Sequence, residues 1–122
     1  MTHVVVIIVG FRNAEEIAAC LTALEASRYR QFEVVVSENG GDAAYRHLTA
    51  VVPALLASGQ SVTCINSGAN LGYAGGVNLG MKARPDADAW WVLNPDTMAE
   101  ADTLGALVTR LARGDCQAAG GI

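Results

Sequence analysis

Six consecutive β-branched residues at positions 4–9 constrain the fold more than any other feature of this sequence. The run is Val-Val-Val-Ile-Ile-Val, without the apolar–polar alternation of a strand that has one face in solvent. Strands of this composition are typical of parallel sheets that helices cover on both faces. Six residues are also too few to cross a bilayer as a helix, so we expect no membrane span here.

Three further segments have the composition and length of strands, namely residues 32–37, 61–66 and 89–93, and residues 117–122 resemble the start of a fifth. Amphipathic helical segments separate them. Repeated strand–helix alternation predicts an α/β fold with an open, mostly parallel sheet and helices on both faces. A length of 122 residues is typical of one domain, so we treat residues 1–122 as a single unit.

The helix boundaries are predicted from capping residues and prolines. Asn13 is expected to cap the first helix, with Glu16 three residues later completing a capping box. Asp42 is expected to cap the second helix, which Pro53 kinks or divides. A third helix is predicted over residues 74–84 despite its glycines.

Composition excludes several classes of function. The formal net charge is -4 and the only lysine is Lys82, so neither a nucleic-acid surface nor a polybasic membrane patch is expected. Cys20, Cys64 and Cys116 lie far apart in the sequence and no His stands at ligand spacing. The cysteines therefore indicate neither a zinc site nor a disulfide framework, and they suit a reducing cytoplasm.

Polar and glycine-rich segments follow each predicted strand, at residues 12–13, 38–41, 66–76 and 94–96. The carboxyl ends of parallel strands share one edge of a sheet, and ligands bind in the crevice at that edge. The four segments are therefore predicted to converge on one binding site.

Four motifs occur in order along the chain: FRNAEEIAACL, VVVSENGG, NLGYAGGVNLG and WWVLNPD. Together they resemble the N-terminal half of inverting family 2 glycosyltransferases, which have the Rossmann-like GT-A fold; the last two are most similar to rhamnosyltransferase-type members. The resemblance implies a domain, truncated at its C-terminus, that binds a nucleotide-diphosphate sugar for transfer to a glycan or other hydroxyl acceptor. The implied donor is dTDP-L-rhamnose first and a UDP-sugar second. The catalytic base is expected beyond Ile122.

The segment Asn94-Pro95-Asp96 stands where this family has an Asp-x-Asp metal motif. The resemblance makes Asp96 the ligand of Mg²⁺ or Mn²⁺, because a departing diphosphate needs a divalent cation. Asn94 offers only a neutral oxygen, and the segment can also be a simple turn. A literal Asp-x-Asp at Asp86 and Asp88 precedes its strand, which places it at the opposite edge of the sheet.

The segments after the first two strands are implied to hold the nucleotide. A carboxylate at Glu38 suits the N–H of uracil or thymine, with Asn39 beside it, although Glu38 can also be an exposed loop residue. Phe11 is expected to flank the base and Arg12 to reach a phosphate. Asn13 is assigned to the same segment, besides its role as a cap.

The turn before the third helix is the remaining part of the implied site. Asn70, Gly72, Tyr73, Gly75 and Gly76 are assigned to substrate binding. Glycine lets the backbone approach a bulky ligand, and a helix N-terminus offers N–H groups to a diphosphate. Tight packing of the helix on the sheet is the alternative explanation of these glycines.

Two other classes of protein share this pattern of elements. A receiver domain of a signalling relay is rejected, because it needs an acidic pair after the first strand, an aspartate after the third and a late lysine. A non-catalytic nucleotide-binding or interaction module remains open.

Overall fold

The computed structural model of the chain describes residues 2–112, which form four strands and four helices in strict alternation. The strands are β1 (Val4–Gly10), β2 (Phe32–Glu38), β3 (Val62–Asn66) and β4 (Ala89–Val92). The helices are α1 (Ala14–Leu24), α2 (Asp42–Val51), α3 (Gly72–Ala83) and α4 (Thr103–Ala112). The predicted fifth strand at residues 117–122 lies outside the described residues. None of the helices within residues 2–112 has the length and apolar composition needed to cross a bilayer.

The four strands form one parallel sheet in the order β3-β2-β1-β4. Val6 of β1 pairs with Val34 of β2 on one side and with Trp91 of β4 on the other. The β-branched run is therefore the central part of the sheet, and the predicted α/β class is confirmed. The direction of the connections reverses at β1, since β2 and β3 lie to one side and β4 to the other. Such a switch point is where parallel sheets open a ligand crevice.

Helices cover both faces of the sheet, as the composition of β1 predicted. Val4, Val6 and Ile8 face a core that residues of α1, α2 and α4 complete, including Ile17, Leu21, Leu48 and Leu104. Val5, Ile7 and Val35 face the other side, where Met81 of α3 packs on them.

Helix α3 lies unusually close to β1, because two of its glycines face the strand. A β-carbon placed on Gly76 would lie 2.7 Å from Cγ1 of Val9, and one on Gly80 would lie 2.9 Å from Cγ2 of Ile7. Real β-carbons do not approach that closely, so a larger residue would push the helix away from the sheet. Gly76 and Gly80 thus pack the helix on the sheet, which agrees with the alternative explanation given for Gly76, while the assignment of Gly76 to substrate binding stays a prediction.

The predicted capping of α1 and α2 by side chains is wrong. Asn13 is the N-cap residue of α1, but its Oδ1 accepts the N–H of Phe11 at 2.9 Å, so no capping box with Glu16 forms. Asp42 is the first residue of α2, preceded by Gly41 at the N-cap, and its carboxylate accepts a hydrogen bond from Asn66 at 2.9 Å. Short polar side chains bond whichever nearby group the backbone path presents, and here the loops present other donors.

Proline ends the second helix instead of kinking it. α2 stops at Val51, and Val52 has extended backbone angles (φ -93, ψ 132) because the ring of Pro53 disfavours a helical residue before it. Helix α3 begins at Gly72, two residues before the predicted start. The strand boundaries differ from the predicted ones by a residue or less at each end.

We expect Gly80→Ala to lower the free energy of unfolding by about 1–2 kcal/mol, because the cost of overpacking against Ile7 exceeds the gain in helix propensity. The matched control is Gly105→Ala in α4, where a β-carbon would meet its nearest neighbour, Tyr29, at an ordinary 3.7 Å. That change should instead raise stability by about 0.5–1 kcal/mol. Urea denaturation measures both, and equal effects would contradict the close packing of α3.

Candidate functional site

The carboxyl ends of the strands carry two adjoining clefts. The first has a volume of about 280 Å³ and is lined by Val9, Gly10, Phe11, Asn13, Asn39, Asn70, Gly72 and Tyr73. The second has a volume of about 350 Å³ and is lined by Val9, Asn13, Glu16, Tyr73, Asn94, Pro95 and Asp96. Since Val9, Asn13 and Tyr73 belong to both, the clefts share one wall and follow each other along the sheet edge.

Most of the residues predicted for the site meet at these clefts. Those that line one or both are Phe11, Asn13, Asn39, Asn70, Gly72, Tyr73, Asn94 and Asp96. Arg12, Glu38, Gly75 and Gly76 line neither cleft. The segments after β1, β2, β3 and β4 therefore converge, while Arg12 and Glu38 bond the loops behind the cleft walls.

Glu38 is buried completely, so its alternative interpretation as an exposed loop residue is wrong. Its Oε2 accepts the backbone N–H of Arg12 at 3.1 Å and that of Gly40 at 2.9 Å. Its carbonyl oxygen accepts both the N–H and the hydroxyl of Ser67, at 3.1 and 2.8 Å. One residue thereby connects the loops that follow β1, β2 and β3.

Two buried acceptors beside the first cleft lack a hydrogen bond. Oε1 of Glu38 and Oδ1 of Asn39 have no partner among the described residues. Asn39 lines the cleft, and a β-carbon on Gly10, another lining residue, would lie 3.2 Å from Oε1 of Glu38. Buried polar atoms in native proteins normally have partners, so a ligand or water that donates N–H or O–H would complete this wall.

Arg12 has a left-handed backbone (φ 58), which a residue other than glycine rarely adopts. This conformation aims its N–H at the carboxylate of Glu38. Its Nε donates to the carbonyl oxygen of Gly40 at 3.2 Å, and its guanidinium lies 5.1 Å from the ring centre of Phe11. The side chain therefore holds the half-exposed Phe11 ring at the rim of the first cleft. Since Arg12 lines neither cleft, its contact with a phosphate stays a prediction.

The second cleft is acidic. Asp96 and Glu16 both line it, and none of the described residues that line either cleft is Lys, Arg or His. The negative charge of Asp96 also affects the buried Cys20 thiol. Burial, the larger cause, and the charge of Asp96 together raise the pKa of this thiol to about 11. Glu16 was not predicted as a site residue, because its position three residues after Asn13 indicated a capping box. Its place one turn after Asn13, at the ligand edge, was the available signal.

The donor set of this cleft fits a divalent cation only together with a ligand. The carboxylates of Asp96 and Glu16 and the amide oxygen of Asn94 are hard oxygen donors of the kind that Mg²⁺ and Mn²⁺ prefer. Within residues 2–112, no group of three or more His, Cys, Asp or Glu side chains is placed to hold a metal ion. Mg²⁺ characteristically takes its remaining ligands from water and from substrate phosphates.

The N-terminus of α3 forms the wall between the clefts. Gly72 has a positive φ of 73, its N–H donates to Oδ1 of Asn70 at 3.1 Å, and its carbonyl accepts Nδ2 of Asn39 at 2.9 Å. The N-cap residue of this helix, Leu71, makes no side-chain cap hydrogen bond. Since the N–H of Gly72 is bonded to Asn70, the N–H groups of the next residues in the first turn are those that would face an anion. The hydroxyl of Tyr73 donates to Oδ1 of Asn94 at 3.3 Å across the second cleft.

The literal Asp-x-Asp lies at the opposite edge, as predicted. Oδ2 of Asp88 accepts the N–H of His3, just before β1, at 2.7 Å. His3 itself contacts Glu33 at 2.8 Å, and His47 contacts Glu15 at 2.7 Å on the surface. Neither histidine lines either cleft.

A sequence model of the family described as "Glycosyl transferase family 2" matches residues 5–122. No curated protein matches the sequence. The fold is similar to a crystal structure of S. aureus TarS 1-349, with a TM-score of 0.64 and 16% identity over 92% of this chain and 33% of that chain.

The same TarS piece in complex with UDP has a TM-score of 0.65 and 15% identity. The complex with UDP-GlcNAc has a TM-score of 0.65 and 16% identity. Each of these matches covers 92% of this chain and 32% of the TarS chain. At such identities the likeness shows the fold, and the chain spans about a third of the length of these structures.

We expect Arg12→Gly to be more stable than Arg12→Ala by about 1 kcal/mol, because glycine adopts the left-handed backbone without strain. Both variants remove the same side-chain contacts and keep the N–H that Glu38 accepts. Urea denaturation gives the difference. The same Gly–Ala comparison at position 105, inside α4, should have the opposite sign, and a matching sign at both positions would contradict the strain at Arg12.

Proposed function

Since the chain belongs to glycosyl transferase family 2, we propose that it forms the nucleotide-sugar-binding part of an inverting glycosyltransferase. The observation that carries the proposal is the pair of adjoining clefts at the sheet edge. One cleft has an aromatic rim and unpartnered acceptors, which suit a nucleobase. The other has carboxylates and adjoins the first turn of α3, which suits a diphosphate bound with a cation.

The proposed base is a pyrimidine. Uracil and thymine present one N–H between two carbonyls, and Oδ1 of Asn39 and Oε1 of Glu38 are acceptors that lack a donor within the described part of the chain. Phe11, held by Arg12, would flank the ring. dTDP-L-rhamnose remains the first candidate donor on the wording of the motifs, and the UDP and UDP-GlcNAc complexes of TarS support a UDP-sugar as the alternative.

The proposed reaction is a single displacement at the anomeric carbon. A hydroxyl of a glycan or other acceptor attacks opposite the diphosphate, forming the new glycosidic bond as the bond to the diphosphate breaks, which inverts the configuration. Asp96, with Asn94 and Glu16 beside it, would hold Mg²⁺ or Mn²⁺, which supplies positive charge to the leaving group. The base that takes the hydroxyl proton, and the acceptor site, are assigned to the rest of the protein beyond Ile122.

We further propose that the protein resides in a reducing cytoplasm. Cys20 and Cys64 are free thiols among the described residues, and unpaired thiols suit that compartment.

The alternative function, a module that binds a nucleotide without turnover, predicts saturable nucleotide binding and no product. Incubating the intact protein with donor, cation and candidate acceptors separates the two, because multiple-turnover transfer excludes the binding module.

The proposal is tested by calorimetric titration of UDP and dTDP into the intact protein, with and without Mg²⁺ or Mn²⁺. We expect the cation to tighten binding, and Asp96→Ala to abolish that gain while the fold is kept. Asp86→Ala is the matched control, since it removes an exposed carboxylate from the opposite edge of the sheet. Absence of binding in the wild type, or equal behaviour of the two variants, would remove the second cleft from the function.

We expect Glu16→Gln to bind a nucleoside diphosphate about threefold more tightly than wild type without cation, because one repulsive charge is removed. The gain on adding Mg²⁺ should shrink, since the cation loses a carboxylate neighbour. Glu15→Gln is the control: it changes the same charge on the same helical turn, but Glu15 is paired with His47 outside the cleft. If the two variants titrate alike, the effect is one of net charge and Glu16 does not face the ligand.

A further inference from the structure

Tyr73 is the side chain that connects the two clefts. It lines both of them, and its hydroxyl donates to Oδ1 of Asn94, the residue two positions before Asp96. Tyr73 is 53% exposed, so packing alone does not explain its position. Resting on the nucleotide-binding role proposed above, we propose that Tyr73 is a positioning residue, which turns the amide oxygen of Asn94 toward the cation that accompanies the diphosphate.

The backbone below Tyr73 is well anchored. Gly72 is bonded through its N–H to Asn70 and through its carbonyl to Asn39, on loops that follow β3 and β2. Gly76, one turn later, packs directly on Val9 of β1. Because the start of α3 is held on both sides, the hydroxyl of Tyr73 is presented at a defined place in the second cleft.

The side-chain amide of an asparagine must be oriented before it can bind a cation, whereas the carboxylate of an aspartate needs no such orientation. The amide of Asn94 ends in one oxygen and one NH₂ group, and only the oxygen can be a ligand of Mg²⁺ or Mn²⁺. A half turn about the last side-chain bond exchanges the two. A phenol hydroxyl is a better donor than acceptor, since its lone pair is partly delocalised into the ring, so Tyr73 favours the orientation with the oxygen beside it. That oxygen keeps a second lone pair for the cation.

The chain itself offers a matched control. The hydroxyl of Tyr45 donates to the carbonyl oxygen of Cys64 at 3.3 Å, the same length as the bond from Tyr73 to Asn94. Tyr45 lines neither cleft. Tyr45→Phe therefore removes a hydrogen bond of the same length that lies outside both clefts.

The test measures binding of uridine or thymidine, and of the matching diphosphate with and without Mg²⁺, to the intact protein. We expect Tyr73→Phe to reduce the Mg²⁺-dependent gain by about two- to tenfold, the range of one lost hydrogen bond. Affinity for the nucleoside should stay unchanged, and Tyr45→Phe should behave as wild type. Asn94 and Tyr73 are exposed, so the variants should fold, which thermal melting checks.

The second variant separates positioning from a general structural role. In Asn94→Asp both terminal atoms are oxygens, so orientation no longer matters and Tyr73→Phe should have no further effect on the Mg²⁺-dependent gain. An equal loss in the wild-type and Asn94→Asp backgrounds, a loss of nucleoside affinity, or no loss at all would each overturn the proposal. A wild-type protein that binds the diphosphate with no Mg²⁺ dependence would overturn the cation role of the site as well.

Discussion

The candidate site depends on one buried carboxylate. Glu38 ends β2 beneath the clefts, and its Oε2 accepts N–H groups from the loops after β1 and β2, while its carbonyl accepts two bonds from Ser67 after β3. A buried charge is costly unless such donors surround it. The loops that form the first cleft are therefore arranged around a single charge, and its remaining unpartnered oxygen leaves the arrangement one donor short.

The fold was predictable because its central strand has no polar side. A run such as residues 4–9 is stable only between two layers of helices, and the helical segments that separate the strands supply them. Once the strands are parallel, every loop that follows a strand lies at the same edge of the sheet. That is why Phe11, Asn39, Gly72 and Asp96, far apart in the sequence, were expected at one edge and are found there.

The directions of individual side chains were not predictable in the same way. Oδ1 of Asn13 accepts the N–H of Phe11 instead of an N–H of α1, so Glu16 is not part of a capping box and lines the acidic cleft. Arg12 turns back over Phe11 because its backbone is left-handed, a conformation that no sequence rule assigns to arginine. Both outcomes depend on donors and acceptors that only the folded loops bring together, so local patterns cannot anticipate them.

The contact of Gly76 and Gly80 with β1 has a consequence for how the protein would adapt to different ligands. Because the backbone of α3 packs directly on β1, the helix cannot slide or tilt without opening a void in the core. The cleft wall that α3 provides is therefore a fixed surface. A rigid, preformed wall loses little conformational entropy when a ligand binds. It also narrows the range of diphosphate positions that the protein can accept.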